Sequence, residues 1–504
     1  MGLQQQFMPR FGKWVLAAIA VLVAVPAHAA HAAQAQPQAT LPGTPAGRQA
    51  AALLQVFNEG NGPKMRAFIQ DHYAKAALAQ HPAQHHLGTF GELWDNTNGL
   101  TLQKVESSSE RTIVLMAQDK LAGESVRLQV DVEAKKPHGI LGVKVLPLGP
   151  PSSNSGPPLT DEEVSQAVQA YVEKLAAADA FSGTVLIARG DKPIYRGAFG
   201  LASRAFQVPN RLDTKFNLGS MNKMFTAVAI AQLVEAGKLS FEDTVGKILP
   251  DYPNKAVAEK VTVHQLLTHT SGLGSFFNDK YFEADKSRFR EIKDFLPLFV
   301  DEPPAFEPGT RWSYSNSGFL LLGAIIEKAS GQNYFDYVRE HIYKPAGMTN
   351  SDSYEIDRDP PNLAVGYTSQ GPGNQQSPRR DWNNLFLHVV KGGPAGGGFS
   401  TVEDLWRFSL ALQGHKLLAA KYTELVTTGK VQPHPESKEE KYAYGFFDEQ
   451  VPGAHIIGHG GGFPGINSQL DIYLGKGYTV AVMSNYDPPT AGRVARRIRT
   501  LLLR

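Results

Sequence analysis

Ser220 and Lys223 form a Ser-x-x-Lys sequence, and their residue types and spacing suggest nucleophilic catalysis. The apolar residues of 224–236 recur at helical spacing before Gly237, which predicts a helix with Ser220 and Lys223 on one face of its first turn. A serine needs a neighbouring base to become a nucleophile, and a lysine buried among apolar side chains loses proton affinity and can act as that base. The same spacing also fits a helix start that carries a solvated lysine, so the pair alone leaves two interpretations open.

Tyr314 and Asn316 lie on a predicted loop between the run 306–312 and an apolar helix predicted over 318–330. A phenol beside an ammonium group has a lowered pKa and can relay a proton. An asparagine amide can hold both a lysine and a substrate carbonyl. These residue types suit a proton relay, and the alternative is a turn before a helix with Asn316 as its cap.

Two glycine-rich runs, 392–398 and 458–465, could bring backbone close to a ligand. The second lies just before an apparent edge strand, where a free backbone N–H can face an oxyanion. A flexible glycine-rich turn is the alternative for this run. After the first run, Ser400 and Glu403 have the spacing of a capping box for a helix through Phe408, so we interpret 392–398 as structural, at the border of a cleft.

Composition excludes several other kinds of site. The 504 residues contain no cysteine, which removes disulfides and thiolate chemistry, and the net charge of +2 gives no reason to expect nucleic acid as a partner. Metal-ligand, α/β-hydrolase and nucleotide-binding motifs are absent from the sequence. We therefore expect neither a metal nor a cofactor.

The elements that must position these residues lie at both ends of the region 159–504. Thr160 and Glu163 predict a capping box for a helix that runs to about Ala177. Further predicted elements are a hairpin over 182–188 and 193–199, a short helix over 263–267, strands over 444–449, 469–474 and 478–484, and a final helix around 494–502. Strands at both ends and helices between them predict an antiparallel sheet flanked by helices, with a helical subdomain.

The first 158 residues suggest export and a separate small domain. Residues 1–30 have the basic end, short apolar core and Ala-x-Ala site of a signal peptide, with cleavage near Ala29 or Ala33. This predicts a periplasmic or secreted protein with no membrane span after cleavage, although an uncleaved anchor is the alternative. We expect disorder over 31–47 and a Pro/Ser/Gly linker over 147–158.

Residues 48–146 are predicted to form a small α+β domain. Helices are expected over 48–59 and 63–78, and strands over 100–105, 112–117, 126–132 and 140–146. This order faintly resembles NTF2-like or cystatin-like domains. The sequence does not indicate a role for it.

The order and spacing of Ser220-Met-Asn-Lys223, Tyr314-Ser-Asn316 and His459-Gly-Gly461 resemble the three motifs of the serine β-lactamase and penicillin-binding protein superfamily. The similarity is closest to its branch of class C β-lactamases, D,D-peptidases and esterases, and covers nearly all of 160–504. Further runs that look like this family are Phe181–Ile187, Leu266–Leu273, Phe306–Gly309, Tyr343–Met348 and Met483–Asn485. The resemblance implies an α/β (α+β) fold of the β-lactamase/transpeptidase type.

The resemblance also implies roles for single residues. Ser220 would form an acyl-enzyme, and Lys223 and Tyr314 would share its proton. Asn316 would orient Lys223 and contact the substrate. The remaining implied groups are His459 and Gly461, which would contact substrate, and the backbone N–H groups of Ser220 and Gly462, which would form the oxyanion hole.

The third motif departs from many β-lactamases, which have Lys-Thr-Gly where this chain has His459-Gly-Gly461. A largely neutral histidine is a weaker partner for a substrate carboxylate than a lysine. We therefore expect a secreted serine hydrolase that acts on small acyl esters. The alternatives are a D,D-carboxypeptidase or D-aminopeptidase, a weak β-lactamase, and a non-catalytic module that binds peptidoglycan peptides. The natural substrate and the oligomeric state stay open.

Overall fold

A long antiparallel sheet organises the larger part of the chain in this computed structural model, which describes residues 40–146, 157–371, 380–433, 437 and 439–504. The strand order of this sheet is β13-β14-β15-β16-β17-β5-β6, so strands from both ends of 157–504 meet at the pair β17 and β5. Strands of this part are β5 (Gly183–Arg189), β6 (Lys192–Phe199), β7 (Leu201–Ser203), β8 (Val208–Pro209), β9 (Phe216–Asn217), β10 (Tyr367–Thr368), β11 (Trp382–Asn383), β12 (Phe399–Ser400), β13 (Glu440–Tyr442), β14 (Phe447–Val451), β15 (Ala454–Phe463), β16 (Ile466–Leu474) and β17 (Tyr478–Ser484). The predicted antiparallel sheet flanked by helices is confirmed.

Helices cover both faces of this sheet. They are α5 (Asp161–Ala177), α6 (Asn222–Glu235), α7 (Val245–Ile248), α8 (Lys255–Lys260), α9 (Val263–Leu267), α10 (Asp279–Glu283), α11 (Ile292–Phe295), α12 (Asn316–Ser330), α13 (Tyr334–Val338), α14 (Lys344–Ala346), α15 (Val402–Gln413), α16 (Ala420–Thr427) and α17 (Thr490–Leu502). Shorter turns of helix lie at Gly219–Met221, Lys286–Arg288, Leu296–Leu298, Arg339–Tyr343 and Ile356–Arg358.

Alternating strand residues divide the core into two layers. Ile457, Leu470 and Ile472 face the layer that contains α6 and α12, whereas Ile456 and Tyr473 face the layer of α5 and α17. Helix α6 is apolar on nearly all sides, as expected for a helix at the centre of a large core. The surrounding core therefore holds the N-terminal end of α6 in place.

The capping box predicted for α5 is present, because Thr160 and Glu163 satisfy each other's backbone N–H groups. The capping box predicted from Ser400 and Glu403 is wrong. Thr401 caps α15 instead and accepts a hydrogen bond from the Asp404 N–H, while the Ser400 hydroxyl is bonded to Ser351.

The small N-terminal unit packs four antiparallel strands in the order β1-β2-β3-β4 against helices. Its elements are α1 (Pro45–Phe57), α2 (Gly62–His72), α3 (Lys75–Gln80), α4 (Ala83–Thr97), β1 (Leu100–Ser108), β2 (Thr112–Asp119), β3 (Ser125–Val132) and β4 (Ile140–Leu146). The single helix predicted over 63–78 is interrupted, because Tyr73 is extended and the Ala74 N–H donates to the Ile140 carbonyl. Helix α4 was not predicted.

Several predictions about the ends of this unit fall outside the described residues. These are the signal peptide, the disordered segment up to residue 39 and the linker from 147 to 156. Helix α1 begins at Pro45, with Thr44 as its cap, so the prediction of disorder is wrong for 45–47. The division into two domains stays a prediction. Among the described residues, no helix is long and apolar enough to cross a membrane.

Candidate active site

Ser220 lies in a turn that leads directly into α6 and is partly exposed. Gly219 precedes it with φ at +51°, a conformation that glycine adopts without strain. The Asn217 side chain accepts a hydrogen bond from the Gly219 N–H at 2.9 Å and so fixes the turn. A Cβ atom on Gly219 would lie 2.9 Å from the Gly462 nitrogen, so this position must be small for the turn to reach β15.

Lys223 is fully buried on the same side of α6 as Ser220. Its Nζ atom lies 3.4 Å from Ser220 Oγ and donates to Asn316 Oδ1 at 2.9 Å and to the Ala395 carbonyl at 2.5 Å. Burial lowers the pKa of Lys223 well below its usual value. A neutral amine has two N–H donors and one lone pair. The two carbonyl acceptors use the donors, and the lone pair is left for the Ser220 hydroxyl.

Tyr314 completes the surroundings of the serine, because its phenol lies beside the Ser220 side chain and interacts with it. Its ring lies 4.7 Å from Lys223 Nζ. The prediction that the pKa of Tyr314 is lowered is wrong, since burial raises it above its usual value and the bond to Ser220 opposes this only in part. Lys223 exerts little pull on the phenol because it is itself driven toward the neutral form. Tyr314 therefore acts as a protonated phenol.

Asn316 is the first residue of α12, and Ser315 before it caps that helix. The Asn316 amide joins two parts of the site, since its oxygen accepts from Lys223 and its nitrogen donates to Ser275 Oγ at 3.2 Å. Ser315, rather than Asn316, is therefore the residue that caps this helix. The Asn316 side chain does not cap the helix and instead accepts a hydrogen bond from Lys223.

The third motif lies on β15, which is an interior strand, whereas the sequence predicted a glycine-rich run just before an edge strand. Strand β14 pairs with β15 only as far as Gly458. Beyond it, 459–463 pair with β16 on one side, and no described strand pairs with them on the other. The Ser220 turn packs against this part of β15, and Ser468 Oγ on the neighbouring β16 donates to the Leu218 carbonyl at 2.7 Å.

The close approach of Leu218 to β15 requires glycine in the third motif. A Cβ atom on Gly461 would lie 2.0 Å from the Leu218 carbonyl oxygen, which is too close for any side chain. The neighbouring Gly462 is exposed, and its nitrogen lies beside Gly219. The start of a helix and an open strand side each offer backbone N–H groups, and Ser220 and Gly462 belong to the two segments that meet here.

Comparisons with known proteins identify the family of this chain. The sequence model of the Beta-lactamase family matches residues 165–504. The chain belongs to that family. It is 30% identical over 331 residues to penicillin-binding protein 4* of Bacillus subtilis, covering 64% of this chain and 72% of that protein. It is 35% identical over 199 residues to the esterase EstB of Burkholderia gladioli, covering 37% of this chain and 50% of EstB.

The fold comparison leads to the same family. The crystal structure of a penicillin-binding protein from Bacillus halodurans matches with a TM-score of 0.59 and 35% identity, over 66% of this chain and 99% of that one. The protein is therefore a serine hydrolase of the beta-lactamase family, and its fold is of the β-lactamase/transpeptidase type.

His459, where many family members have lysine, is 3% exposed. Its Nε2 atom lies 3.2 Å from the Tyr442 hydroxyl, and its Nδ1 atom lies 2.5 Å from the Gly460 carbonyl oxygen. Burial is the main cause that lowers the pKa of His459, to about 3. Because protein groups engage both ring nitrogens, the structure does not support the predicted contact between the His459 ring and substrate.

Sequence reasoning missed three groups at this site. The Ala395 carbonyl lies in the glycine-rich run that was interpreted as structural, and it bonds Lys223 directly. His269 packs against Tyr314 with ring centres 4.3 Å apart. Tyr442 lies between His269 and His459. The repeated small residues of 392–398 were a usable signal for the first group, whereas the other two depend on long-range contacts. Among the described residues, no His, Asp and Glu cluster could hold a metal ion.

Proposed function

We propose that the protein hydrolyses small carboxylic esters through an acyl-enzyme on Ser220. The observation that carries this proposal is the surroundings of Lys223, whose Nζ atom lies 3.4 Å from Ser220 Oγ and is bonded to the Asn316 and Ala395 carbonyl oxygens. In the neutral form of the amine, its lone pair would face the Ser220 hydroxyl. Because burial lowers the pKa of Lys223 well below its usual value, its amine can take the serine proton as the oxygen attacks the ester carbonyl.

The remaining steps use groups already described. The carbonyl oxygen becomes negative during attack and receives hydrogen bonds from the N–H groups of Ser220 and Gly462. Tyr314, which holds its proton, donates it to the departing alkoxide and regains one from Lys223. Water then attacks the acyl-enzyme, and Lys223 accepts a proton from it. Tyr314 gives its proton to Ser220 Oγ as the acyl–oxygen bond breaks and the acid leaves, and Lys223 then returns a proton to Tyr314. The balance is one ester and one water to one acid and one alcohol.

Two features favour esters over β-lactams. At the third motif, the buried and neutral His459 offers no cation for a substrate carboxylate. Phe463 directly follows Gly462, and its ring centre lies 5.3 Å from that of Phe277. An apolar wall beside the oxyanion position suits an uncharged acyl or alkyl group. The similarity to EstB supports the same class of substrate.

A peptide or D-amino-acid amide is the second candidate, and the similarity to penicillin-binding protein 4* favours it. The amine of an amide is a poorer leaving group than the alkoxide of an ester, so amide hydrolysis depends more strongly on proton donation by Tyr314. The two candidates are separated by comparing kcat/KM for a p-nitrophenyl ester with that for a D-amino-acid p-nitroanilide. Weak β-lactamase activity is measured on a chromogenic cephalosporin.

The decisive experiment labels the protein with a fluorophosphonate and measures ester hydrolysis in wild type, Ser220→Ala and Ser330→Ala. We expect labelling and turnover in wild type and in Ser330→Ala, which changes a serine at the end of α12, away from the site. Ser220→Ala should show neither. Wild type that is not acylated by the fluorophosphonate or by either class of substrate would exclude the proposed chemistry. Turnover that survives in Ser220→Ala would exclude the assigned nucleophile.

We also propose that the protein acts in the periplasm or outside the cell. The support is the signal-peptide pattern of residues 1–30. N-terminal sequencing of the protein from the periplasmic fraction should give a first residue shortly after Ala29 or Ala33. An intact Met1 in a membrane fraction would instead indicate an uncleaved anchor.

A further inference from the structure

We infer that His269, Tyr442 and His459 form a directional hydrogen-bond chain. This chain positions the end of β15 that carries Gly462 against the tyrosine motif, Tyr314–Asn316. This inference rests on the proposed function, because it assigns a role to residues beside the same site. His269 Nε2 lies 3.1 Å from the Tyr442 hydroxyl, which lies 3.2 Å from His459 Nε2. His269 and Tyr442 have no exposed surface, and His459 is 3% exposed.

Backbone groups fix the proton positions at both ends of this chain. The Ser315 N–H donates to His269 Nδ1 at 3.0 Å, so that atom must carry a lone pair and the His269 proton is on Nε2. At the other end the Gly460 carbonyl faces His459 Nδ1, which must therefore be the N–H atom. The Tyr442 hydroxyl accepts from His269 and donates its single proton to His459. The two histidines thus have opposite tautomers.

The hydrogen-bond chain joins the backbone of two motifs that are far apart in sequence. Ser315 lies between Tyr314 and Asn316, and Gly460 lies two residues before Gly462. The chain therefore sets the distance between the proton donor and the N–H group proposed for the oxyanion. Small errors in such a distance affect the transition state more than the bound substrate.

The backbone of His269 provides an independent sign that this position is specified. Its φ is +60°, which is uncommon for a residue other than glycine and persists only where the surroundings require it. Its carbonyl accepts from the Ser313 N–H at 2.9 Å, and its ring packs against Tyr314. His269 thus holds the tyrosine loop through its backbone, its ring face and its ring nitrogen.

Tyr442→Phe tests the positioning role, because it removes one oxygen and keeps the ring. We expect kcat for a p-nitrophenyl ester to fall about tenfold with KM within about twofold, since the interaction concerned is made in the transition state. Tyr334→Phe is the matched control. Tyr334 is also buried, and its hydroxyl bonds Thr226 on α6 at 2.8 Å, so it reports the general effect of losing a buried hydroxyl.

A second measurement is independent of activity. Long-range ¹H–¹⁵N spectra of protein labelled with [¹⁵N]histidine, assigned with His269→Gln and His459→Gln, should show a neutral Nε2–H tautomer for His269 and a neutral Nδ1–H tautomer for His459 at pH 7. Like tautomers, or a cationic ring at either position, would overturn the inference. So would Tyr442→Phe with the same kcat as Tyr334→Phe. If wild type is not acylated at all, the proposed function fails while the tautomer result still stands by itself.

Discussion

The chemistry at Ser220 depends on one uncharged amine. Burial favours the neutral form of Lys223, which can act as a base. Hydrogen bonds to Asn316 and to the Ala395 carbonyl restrict the orientation of its amine. The same burial keeps the Tyr314 phenol protonated. In the proposed mechanism, desolvation thus provides both a base and an acid for the Ser220 hydroxyl.

Lys223→Arg should remove this base while keeping a long cationic side chain. A guanidinium group does not lose its proton in a protein, so it cannot accept one from Ser220. We expect kcat/KM for a p-nitrophenyl ester to fall by about 10²–10⁴-fold, the usual contribution of a general base. Lys247→Arg, at a surface lysine on α7 that pairs with Asp243, is the control and should keep wild-type activity. A variant at position 223 with near wild-type activity would show that the lysine is not the base.

The dependence of kcat/KM on pH should show an acid limb only. Lys223 works when neutral, so activity rises as the pH rises through its pKa, which burial places well below its usual 10.5. The raised pKa of Tyr314 keeps the phenol protonated across the plateau, and His459, with a pKa of about 3, stays neutral. Stopped-flow acylation across the pH range checks this. A fall in rate between about pH 8 and pH 10 would mean that a protonated lysine is the active form.

At the residue scale, the sequence predicted those contacts that the geometry of a single element determines. The contact between Ser220 and Lys223 is set by the helical period and is present. The pKa of Tyr314 was predicted in the wrong direction, because burial depends on distant parts of the chain. His269 and Tyr442 are 173 positions apart, and no local pattern connects them.

At the scale of elements, the site depends on the close approach of the Ser220 turn to β15. Glycines at 219 and 461 permit this approach, and the Ser468 hydroxyl holds it. The sequence showed the glycine run but suggested an edge strand. The structure instead has an interior strand whose neighbour stops early, because β14 pairs only as far as Gly458. A strand's length relative to its neighbours is a tertiary property that the pattern of one segment does not contain.

Gly461→Ala should disrupt this approach. The Cβ atom of the new alanine would lie 2.0 Å from the Leu218 carbonyl oxygen. This oxygen belongs to the backbone, so it cannot move away as the end of a flexible side chain could. We expect a loss of stability of about 1–3 kcal/mol from overpacking and a fall in kcat of about 10²-fold from misplacement of the Gly462 N–H. Urea unfolding and ester kinetics measure the two effects.

Gly460→Ala is the matched control for that substitution. Its closest contact would be the end of the Gln469 side chain, which can move away. The control should therefore retain most of its activity. Equal losses in the two variants would show that the motif needs flexibility in general rather than space at Gly461.

At the scale of the whole molecule, the small N-terminal unit packs on the sheet face opposite Ser220. Leu121, between β2 and β3, belongs to the same buried cluster as Val164 and Val168 of α5, and Glu124 lies 4.0 Å from Arg497 of α17. The sequence predicted the strands of this unit, of which the middle two have alternating apolar residues. It could not predict where the unit docks, since a single leucine in a turn carries no periodic signal.

Leu121→Ala should therefore weaken the molecule without changing its chemistry. Leu121 is 4% exposed, and removing a buried leucine side chain costs about 2–5 kcal/mol. Leu141→Ala on β4 is the control, because that side chain is 39% exposed and its loss should cost about 0.5 kcal/mol or less. Below the unfolding transition, kcat/KM for the ester should equal that of wild type in both variants. Unchanged stability of Leu121→Ala would show that the small unit does not pack here in solution, whereas lower kcat/KM in the folded variant would show that the unit supports the site from behind the sheet.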